Sequence, residues 1–412
     1  MKRLFAALAL SLTVAAVPAA VPAAAAAERT SWTGSWSASP QRPSTGFAPN
    51  WSQEGFEGHT LRQVVRLTAA GTTLRVRLSN QYGSAPLKIA GATIARTGQG
   101  AGLRPGSVRP LTFGGSRSVT IAPGGGLASD VARLRVGPLE SVTITLYLPE
   151  RTGPATFHAQ GYATTYRTSG DHLDDLGAAA FTGKTQSWYY LTDVEVSGGG
   201  TPRREAVVTL GDSITDGFGS TTDSDNRYPD ELAEHLREAG RPRPVLNAGI
   251  GGNRLLNDSA WYGEPALARL QRDALSKPGV GTLIVLQGIN DIGFADWTDP
   301  TAAPNPRISA QQLIAAHREI IRRAHAKGIE AIGATLLPYK DSQYFTEQGE
   351  QTRDALNQWI RTSGAYDAVL DFDRRLAAPG DADQLNPIYD SGDHLHPNDR
   401  GYQVMAEAVD LP

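Results

Sequence analysis

The sequence predicts an α/β half with a parallel sheet, preceded by an all-β half that forms a sandwich or jelly roll. Short β-branched runs without a convincing helix fill residues 28–197, and a Gly-rich stretch follows at 198–203. Strands then alternate with helices over residues 204–412. Many short strands separated by Gly and Pro are typical of sandwiches. Alternating strands and helices indicate a parallel sheet covered on both faces.

Residues 1–27 have the composition of a secretory signal peptide. Lys2 and Arg3 form a charged start before an apolar, Ala-rich run. A membrane anchor would need about 20 apolar residues, and Pro18 and Pro22 interrupt this run. The sequence therefore predicts a secreted, extracellular protein without stable membrane insertion.

Composition excludes several classes of function. Removing residues 1–27 takes the formal net charge from −3 to −5, and the remaining Lys and Arg residues form no basic face. Nucleic acid is therefore not an expected partner. The chain has no cysteine, which excludes disulfides, thiolate catalysis and Cys-ligated metals. Stability must come from the burial of apolar side chains, and the mature chain is long enough for two domains.

Alternating or β-branched apolar residues mark the strands of the first half, residues 28–197. Gly and Pro clusters separate these runs, as expected for turns. The predicted strands are residues 61–67, 73–80, 118–122, 131–136 and 141–148.

In the second half, residues 204–412, the hydrophobic period alternates between that of a strand and that of a helix. The predicted strands are residues 206–210, 245–248, 282–286, 331–337 and 368–372. The predicted helices are residues 228–239, 265–276, 310–327 and 347–363, and a last helix that begins at Pro397.

A serine follows the first strand of this second half. The apolar run ends at Gly211-Asp212-Ser213, where the backbone must turn. Open α/β sheets bind their ligands at the carboxyl ends of the strands. Asp393 and His396 lie three residues apart near the end of the chain. A serine, a base and an acid that orients the base are the groups that acyl transfer requires.

Two further polar blocks, residues 247–253 and 287–291, follow the second and third strands. With Ser213 and the segment 393–396, they resemble the SGNH hydrolases, also called the GDSL esterase and lipase family. The resemblance covers residues 205–410. It implies a flavodoxin-like three-layer α/β/α fold and a carboxylic ester hydrolase.

The resemblance also implies a role for individual residues. Ser213 would be the nucleophile, His396 the general base and Asp393 the residue that orients His396. The oxyanion hole would consist of the backbone N–H groups of Ser213 and Gly252 and the side-chain amide of Asn290. Several preorganised donors of this kind stabilise the negative charge of a tetrahedral intermediate.

Two assignments have alternatives within their blocks. Alignment from Asn247 favours Gly252 over Gly251 as the oxyanion donor. The Asp-x-x-His spacing and the following Pro-Asn favour His396 over His394 as the base. A zinc site that includes these histidines lacks a fourth ligand at matching spacing. No metal or organic cofactor is therefore expected.

The expected function is a secreted serine esterase that removes short acyl groups, especially acetyl, from carbohydrate. A lipase or phospholipase that acts on longer chains is the alternative within the enzyme class, although the loop at 294–308 is rich in Pro, Asp and Asn. The alternative outside the enzyme class is a glycan-binding protein on a catalytically silent scaffold. The β half would then bind glycan or support the catalytic edge.

Several other polar and aromatic residues are predicted to be structural. Asp212 and Asp291 have the short side chains that bond turn or helix N–H groups. The aromatic clusters at 188–190 and 261–262 and Trp297 are interpreted as packing residues, with sugar stacking as the alternative. The remaining histidines, without matching partners, are predicted to be surface or satisfied polar residues: His59, His158, His172, His235, His317 and His325.

Overall fold

Two antiparallel sheets form the first half of this computed structural model, which describes residues 31–200, 204–295 and 297–411. The predicted signal peptide at 1–27 and residues 201–203 of the predicted linker lie outside these ranges. Within the described ranges, no helix has the length and apolar character to cross a bilayer.

The two sheets enclose a common apolar core, as a sandwich requires. Their strands are β1 (Thr33–Ser37), β2 (His59–Leu67), β3 (Thr73–Ser79), β4 (Leu87–Ile89), β5 (Gly91–Arg96), β6 (Arg109–Leu111), β7 (Val119–Ile121), β8 (Gly126–Ala128), β9 (Glu140–Leu148), β10 (Phe157–His158), β11 (Thr165–Ser169), β12 (Gly183–Thr185), β13 (Trp188–Tyr189) and β14 (Leu191–Ser197). One sheet has the order β1-β14-β3-β8 and the other β12-β11-β2-β9-β5-β6, while β4-β7 and β10-β13 pair separately.

Four of the five predicted strands of this half are present, with ends that differ by at most two residues. The prediction of a strand at 131–136 is wrong. Ala132 and Val136 form only isolated bridges, to Leu74 and Gly71. Alternating apolar residues thus pack against the core here without a continuous ladder of hydrogen bonds, because side-chain periodicity does not itself determine backbone pairing.

The second half is a five-stranded parallel sheet with helices around it. Its strands are β15 (Ala206–Gly211), β16 (Val245–Ala248), β17 (Val280–Leu286), β18 (Glu330–Ala334) and β19 (Ala368–Leu370), with a small hairpin of β20 (Ala377–Ala378) and β21 (Asp381–Leu385). The order β16-β15-β17-β18-β19 is the flavodoxin-like order, which confirms the predicted fold class.

Each helix predicted in this half is present, but two differ from the prediction in detail. The helices are α1 (Ser213–Asp216), α2 (Tyr228–Glu238), α3 (Ala266–Leu270), α4 (Ile289–Gly293), α5 (Ala310–His325), α6 (Glu347–Thr362), α7 (Phe372–Leu376) and α8 (Asp399–Glu407). After α3, the predicted helix 265–276 continues as a π-helical turn, Gln271–Leu275. The last helix does not begin at Pro397, because the Asn398 side chain accepts the Gly401 N–H and caps a helix that starts at Asp399.

The two halves have separate apolar cores and pack into one compact unit. Strand β1 lies beside β16, the edge strand of the parallel sheet. The Gly34 N–H donates to the Pro278 carbonyl (2.9 Å), and Ser37 Oγ donates to the Asn247 carbonyl (2.9 Å). Lys277 forms a buried ion pair with Asp193. The β half therefore lies against the strand that leads into residues 247–253.

Candidate active site

Ser213 is the first residue of helix α1, which follows the interior strand β15. Asp212 caps this helix, with its Oδ1 accepting the Ile214 N–H at 3.0 Å. The sheet order reverses at β15, and such a switch point is where open α/β sheets bind ligands. The short helix thus places the Ser213 hydroxyl at the ligand-binding edge of the sheet.

His396 and Asp393 reach this serine from 183 and 180 residues further along the chain. Ser213 Oγ lies 2.8 Å from His396 Nε2, and His396 Nδ1 lies 2.6 Å from Asp393 Oδ2. A carboxylate can only accept, so Nδ1 carries the proton and Nε2 is free to accept the serine proton. The three side chains therefore form a continuous Ser–His–Asp relay.

The Asp393 carboxylate is held in its charged form. Burial by itself would raise its pKa, but hydrogen bonds from the His396 ring and from the backbone N–H groups of Leu395 and His396 outweigh burial. The pKa of Asp393 consequently lies well below its ordinary value. Asp393 remains ionised and fixes the orientation of the imidazole, while the Phe218 ring packs against that imidazole at a centroid distance of 4.2 Å.

The structure places His396, and not His394, at Ser213. His394 Nδ1 contacts Asp390 Oδ2 at 2.8 Å instead, and 46% of its side chain is exposed. His394 also has a left-handed backbone (φ 62°), which turns the chain between the two histidines. Asp393, His394 and His396 do not form a metal-binding group among the described residues. Among the described residues, the carboxylates of Glu350, Asp354 and Asp383 lie close enough together to hold a metal ion. Arg353 pairs with all three of them.

Gly251 and Gly252, in the segment 247–253, use their N–H groups differently. The Gly251 N–H donates to Asp216 Oδ2 at 3.0 Å. The N–H groups of Gly252 and Ser213 have no acceptor among the described residues. Gly252 has a positive φ of 69°, and a Cβ there would lie 2.4 Å from the Tyr262 ring. Only glycine therefore fits at position 252, and its N–H is available for a ligand.

Asn290 is the third sequence-predicted donor. It lies in the first turn of α4 with 1% of its surface exposed. Its Nδ2 donates one hydrogen bond to the Asn253 carbonyl oxygen at 3.0 Å, and this bond orients the amide. The second Nδ2 hydrogen has no acceptor among the described residues. The side-chain amide can consequently donate to a ligand oxygen.

Sequence analysis missed Arg269, which joins the strand ends that carry these residues. Its buried guanidinium donates to the carbonyls of Gly211 (2.9 Å) and Ala248 (2.7 Å). It also donates to Asn253 Oδ1 at 2.9 Å and to Ser39 Oγ at 3.1 Å. No sequence signal singled it out, because the helix predicted at 265–276 also contains Arg272 and Asp273. Arg269 holds the segments before Ser213 and before Gly252 in a fixed relation.

Asp212 and Asp291 have the structural contacts expected of them. Asp291 accepts the N–H groups of Leu255 (2.7 Å) and Leu256 (3.1 Å). Burial raises the pKa of Asp212 to about 7 and the pKa of Asp291 to about 6. Burial thus shifts both carboxyl groups toward the neutral form, although Asp291 remains mostly ionised at pH 7.

The other residues that the sequence singled out are mostly buried. Trp188, Tyr189 and Tyr190 are within 1% of complete burial, which confirms their predicted packing role. Trp261 and Trp297 are half-buried. Three of the remaining histidines are satisfied polar residues, as predicted, because each pairs with an aspartate: His158 with Asp216, His172 with Asp175 and His325 with Asp367.

Comparison with known proteins places the second half of the chain in a family. Residues 209–404 match the model of the GDSL-like Lipase/Acylhydrolase family. A search of the curated proteins found no match.

Three solved structures illustrate the likeness. A GDSL-like lipase from Bacteroides thetaiotaomicron VPI-5482 is 18% identical (TM-score 0.36), over 49% of this chain and 84% of that one. An acetyl xylan esterase from Geobacillus stearothermophilus and a lipase/acylhydrolase from Enterococcus faecalis are each 19% identical (TM-score 0.38), over 50% of this chain and 92% of theirs. Residues 209–404 of this chain belong to the GDSL-like lipase/acylhydrolase family.

Proposed function

We propose that this protein is a serine esterase in which Ser213, His396 and Asp393 are the catalytic residues. The observation that carries the proposal is the Ser–His–Asp relay, with distances of 2.8 and 2.6 Å. The relay lies beside N–H donors of the same site that have no acceptor among the described residues. A nucleophile, its base and an oxyanion hole are the minimum for acyl transfer.

In the first half-reaction, Ser213 Oγ attacks the ester carbonyl carbon while its proton moves to His396 Nε2. The carbonyl oxygen becomes an oxyanion, to which the N–H groups of Ser213, Gly252 and Asn290 donate. The intermediate collapses as the bond to the alcohol oxygen breaks, and the proton on Nε2 moves to that oxygen. An acyl-enzyme and a free alcohol result.

In the second half-reaction, a water molecule attacks the acyl-enzyme. His396 takes the water proton and returns it to Ser213 Oγ as the carboxylic acid leaves. Asp393 stabilises the imidazolium in both halves and remains ionised. Each step is completed by this chain's own residues.

The proposed substrates are esters with short acyl groups, especially acetyl. The loop that carries Gly252, residues 249–253 and here called the oxyanion loop, is closely packed. The Tyr262 ring lies against Gly252 and stacks on Phe294 at a centroid distance of 5.1 Å. Residues 297–308 expose no large hydrophobic side chain of the kind that a lipase lid presents. Arg254 holds it by donating to the Pro304 carbonyl at 2.7 Å. A small acyl group fits such walls better than a long chain does.

We propose carbohydrate as the alcohol that carries the acyl group. Phe47 from the β half is 42% exposed and faces Tyr262 at a centroid distance of 5.6 Å. Half-buried Trp261 and Trp297 also belong to this edge of the fold. Flat aromatic faces pack against the C–H faces of sugar rings. We further propose that the protein is secreted, on the basis of residues 1–27.

The test is a series of initial hydrolysis rates on nitrophenyl acetate, butyrate, octanoate and palmitate. We expect kcat/KM to fall as the acyl chain lengthens. A preference for octanoate or palmitate would indicate a lipase or phospholipase instead. A folded protein that hydrolyses none of the esters, but whose migration is retarded by glycan in an affinity gel, would indicate a binding protein.

Asn290→Ala tests the oxyanion hole. We expect kcat and kcat/KM on nitrophenyl acetate to fall together by about 10²–10³, because the lost hydrogen bond is made mainly in the transition state. Asn290→Asp has the same shape but places a carboxylate at the oxyanion, so its loss should be at least as large. A near-normal kcat in either variant, at an unchanged melting temperature, would remove Asn290 from the oxyanion hole.

A further inference from the structure

A buried histidine of the β half contacts the helix that begins with Ser213. His158 lies on β10 with 3% of its surface exposed. Its Nε2 is 2.9 Å from Asp216 Oδ1, and its Nδ1 is 2.9 Å from the Ser39 carbonyl oxygen. Both partners are acceptors, so both ring nitrogens must donate. A histidine with two donors is a charged imidazolium.

Asp216 connects this imidazolium to the oxyanion loop. It is the last residue of α1 and is 1% exposed. Its Oδ1 accepts from His158, while its Oδ2 accepts the Gly251 N–H at 3.0 Å. One carboxylate therefore holds both the β half and the residue before Gly252.

The loop has no room to move toward the β half. A Cβ on Gly251 would lie 1.8 Å from Gln160 Oε1 and 3.0 Å from the ring of Phe47. Both of these residues belong to the β half. The position of Gly251 is thus determined by contacts on one side and by a hydrogen bond to Asp216 on the other.

The charges around His158 favour the protonated ring. Burial lowers the pKa of His158 and the Arg227 charge lowers it further. The Asp216 charge and the two hydrogen bonds outweigh both, and the pKa of His158 is raised. Arg227 is itself paired with Asp230, and the phenol of Tyr162 also lies near Asp216. Loss of the imidazolium would leave Asp216 buried without its main cationic partner, which is costly.

We infer that His158 is a positioning residue for the site, acting through Asp216 to hold Gly251 so that the Gly252 N–H faces the reacting oxygen. The inference rests on the proposed function for its effect on kcat. The link itself, from His158 to Gly251, is a property of the fold. The β half thereby contributes to the geometry of the oxyanion hole.

The test compares His158→Phe with His158→Gln. Phenylalanine keeps the ring that stacks on Trp188 but has no donor, whereas glutamine keeps an N–H that can reach Asp216. In His158→Phe we expect kcat on nitrophenyl acetate to fall about 10-fold to 100-fold, with KM changed less than about 3-fold, because a displaced oxyanion donor mainly affects the transition state. His158→Gln should recover part of this loss.

Amide hydrogen exchange of residues 249–253 gives a readout that does not depend on activity. We expect at least about 10-fold faster exchange in His158→Phe, since the hydrogen bond from Gly251 to Asp216 opens more easily. The matched control is His172→Phe, which removes a histidine–aspartate pair of the same half (2.7 Å, to Asp175) away from the loop. It should leave exchange of residues 249–253 and kcat unchanged.

Unchanged exchange of residues 249–253 in His158→Phe, or equal kcat losses in the Phe and Gln variants, would overturn the inference. If His158→Phe does not fold, amide exchange of residues 249–253 is measured in Asp216→Asn instead. We then expect faster exchange, because a neutral amide is a weaker acceptor for Gly251, and unchanged exchange would overturn the inference. A wild-type protein that hydrolyses no ester would refute the proposed function and leave the exchange result to decide on the link.

Discussion

Replacement of Ser213 with alanine is expected to lower kcat on nitrophenyl acetate by about 10⁴–10⁶ at an unchanged melting temperature. The hydroxyl oxygen of Ser213 is the atom that would form the acyl-enzyme, and no other serine hydroxyl among the described residues hydrogen-bonds to the His396 ring. The remaining rate would come from the oxyanion donors acting on a bound ester and water. Initial rates and thermal melts of the two proteins measure the effect.

Ser220→Ala is the matched control for Ser213→Ala. Ser220 is a buried serine in the loop that follows α1, and its hydroxyl has no hydrogen-bond partner among the described residues. Its replacement should leave kcat unchanged. If Ser213→Ala kept a rate near that of the wild type while remaining folded, the nucleophile would have been assigned to the wrong residue.

Asp393→Asn is expected to lower kcat by about 10⁴, no more than the smallest loss expected for Ser213→Ala. The amide can present an N–H to His396 Nδ1, and the ring proton then moves to Nε2, which can no longer accept from Ser213. The change also removes the charge that stabilises the imidazolium. Kinetics on nitrophenyl acetate measure the loss, and thermal melts show whether folding has changed.

The neighbouring acid–histidine pair provides a control for this prediction. Asp390 contacts His394 Nδ1 at 2.8 Å in the same loop, but that histidine does not contact Ser213. Asp390→Asn keeps an acceptor for the His394 N–H and should retain a kcat within about 3-fold of the wild type. Equal losses in the two aspartate variants would mean that only loop structure, and not the relay, has been disturbed.

The sequence predicts the α/β half well because each of its signals has a local physical cause. Strands buried on both faces appear as continuous apolar runs, and helices α2, α5 and α6 have the apolar stripe of an amphipathic helix. The site residues follow the strands, and parallel strands end at one edge. The structure accordingly brings Ser213, Gly252, Asn290 and His396 to the same edge.

The details that the sequence did not predict depend on contacts between distant residues. Strands of two or three residues, such as β10 and β13, are too short to show a period and exist through their pairing. The buried guanidinium of Arg269 and the pair of His158 with Asp216 join segments far apart in the chain. The two ends of that pair are separated by 58 residues and belong to different halves. No local pattern brings such residues together.

The most direct test of the central claim is covalent labelling with an alkyl fluorophosphonate, followed by peptide mass spectrometry. The reagent forms a bond between phosphorus and an activated serine oxygen as fluoride leaves. The proposed mechanism predicts one adduct per chain, located on Ser213 and absent from Ser213→Ala. A folded wild-type protein that takes up no label, or an adduct on another serine, would contradict it.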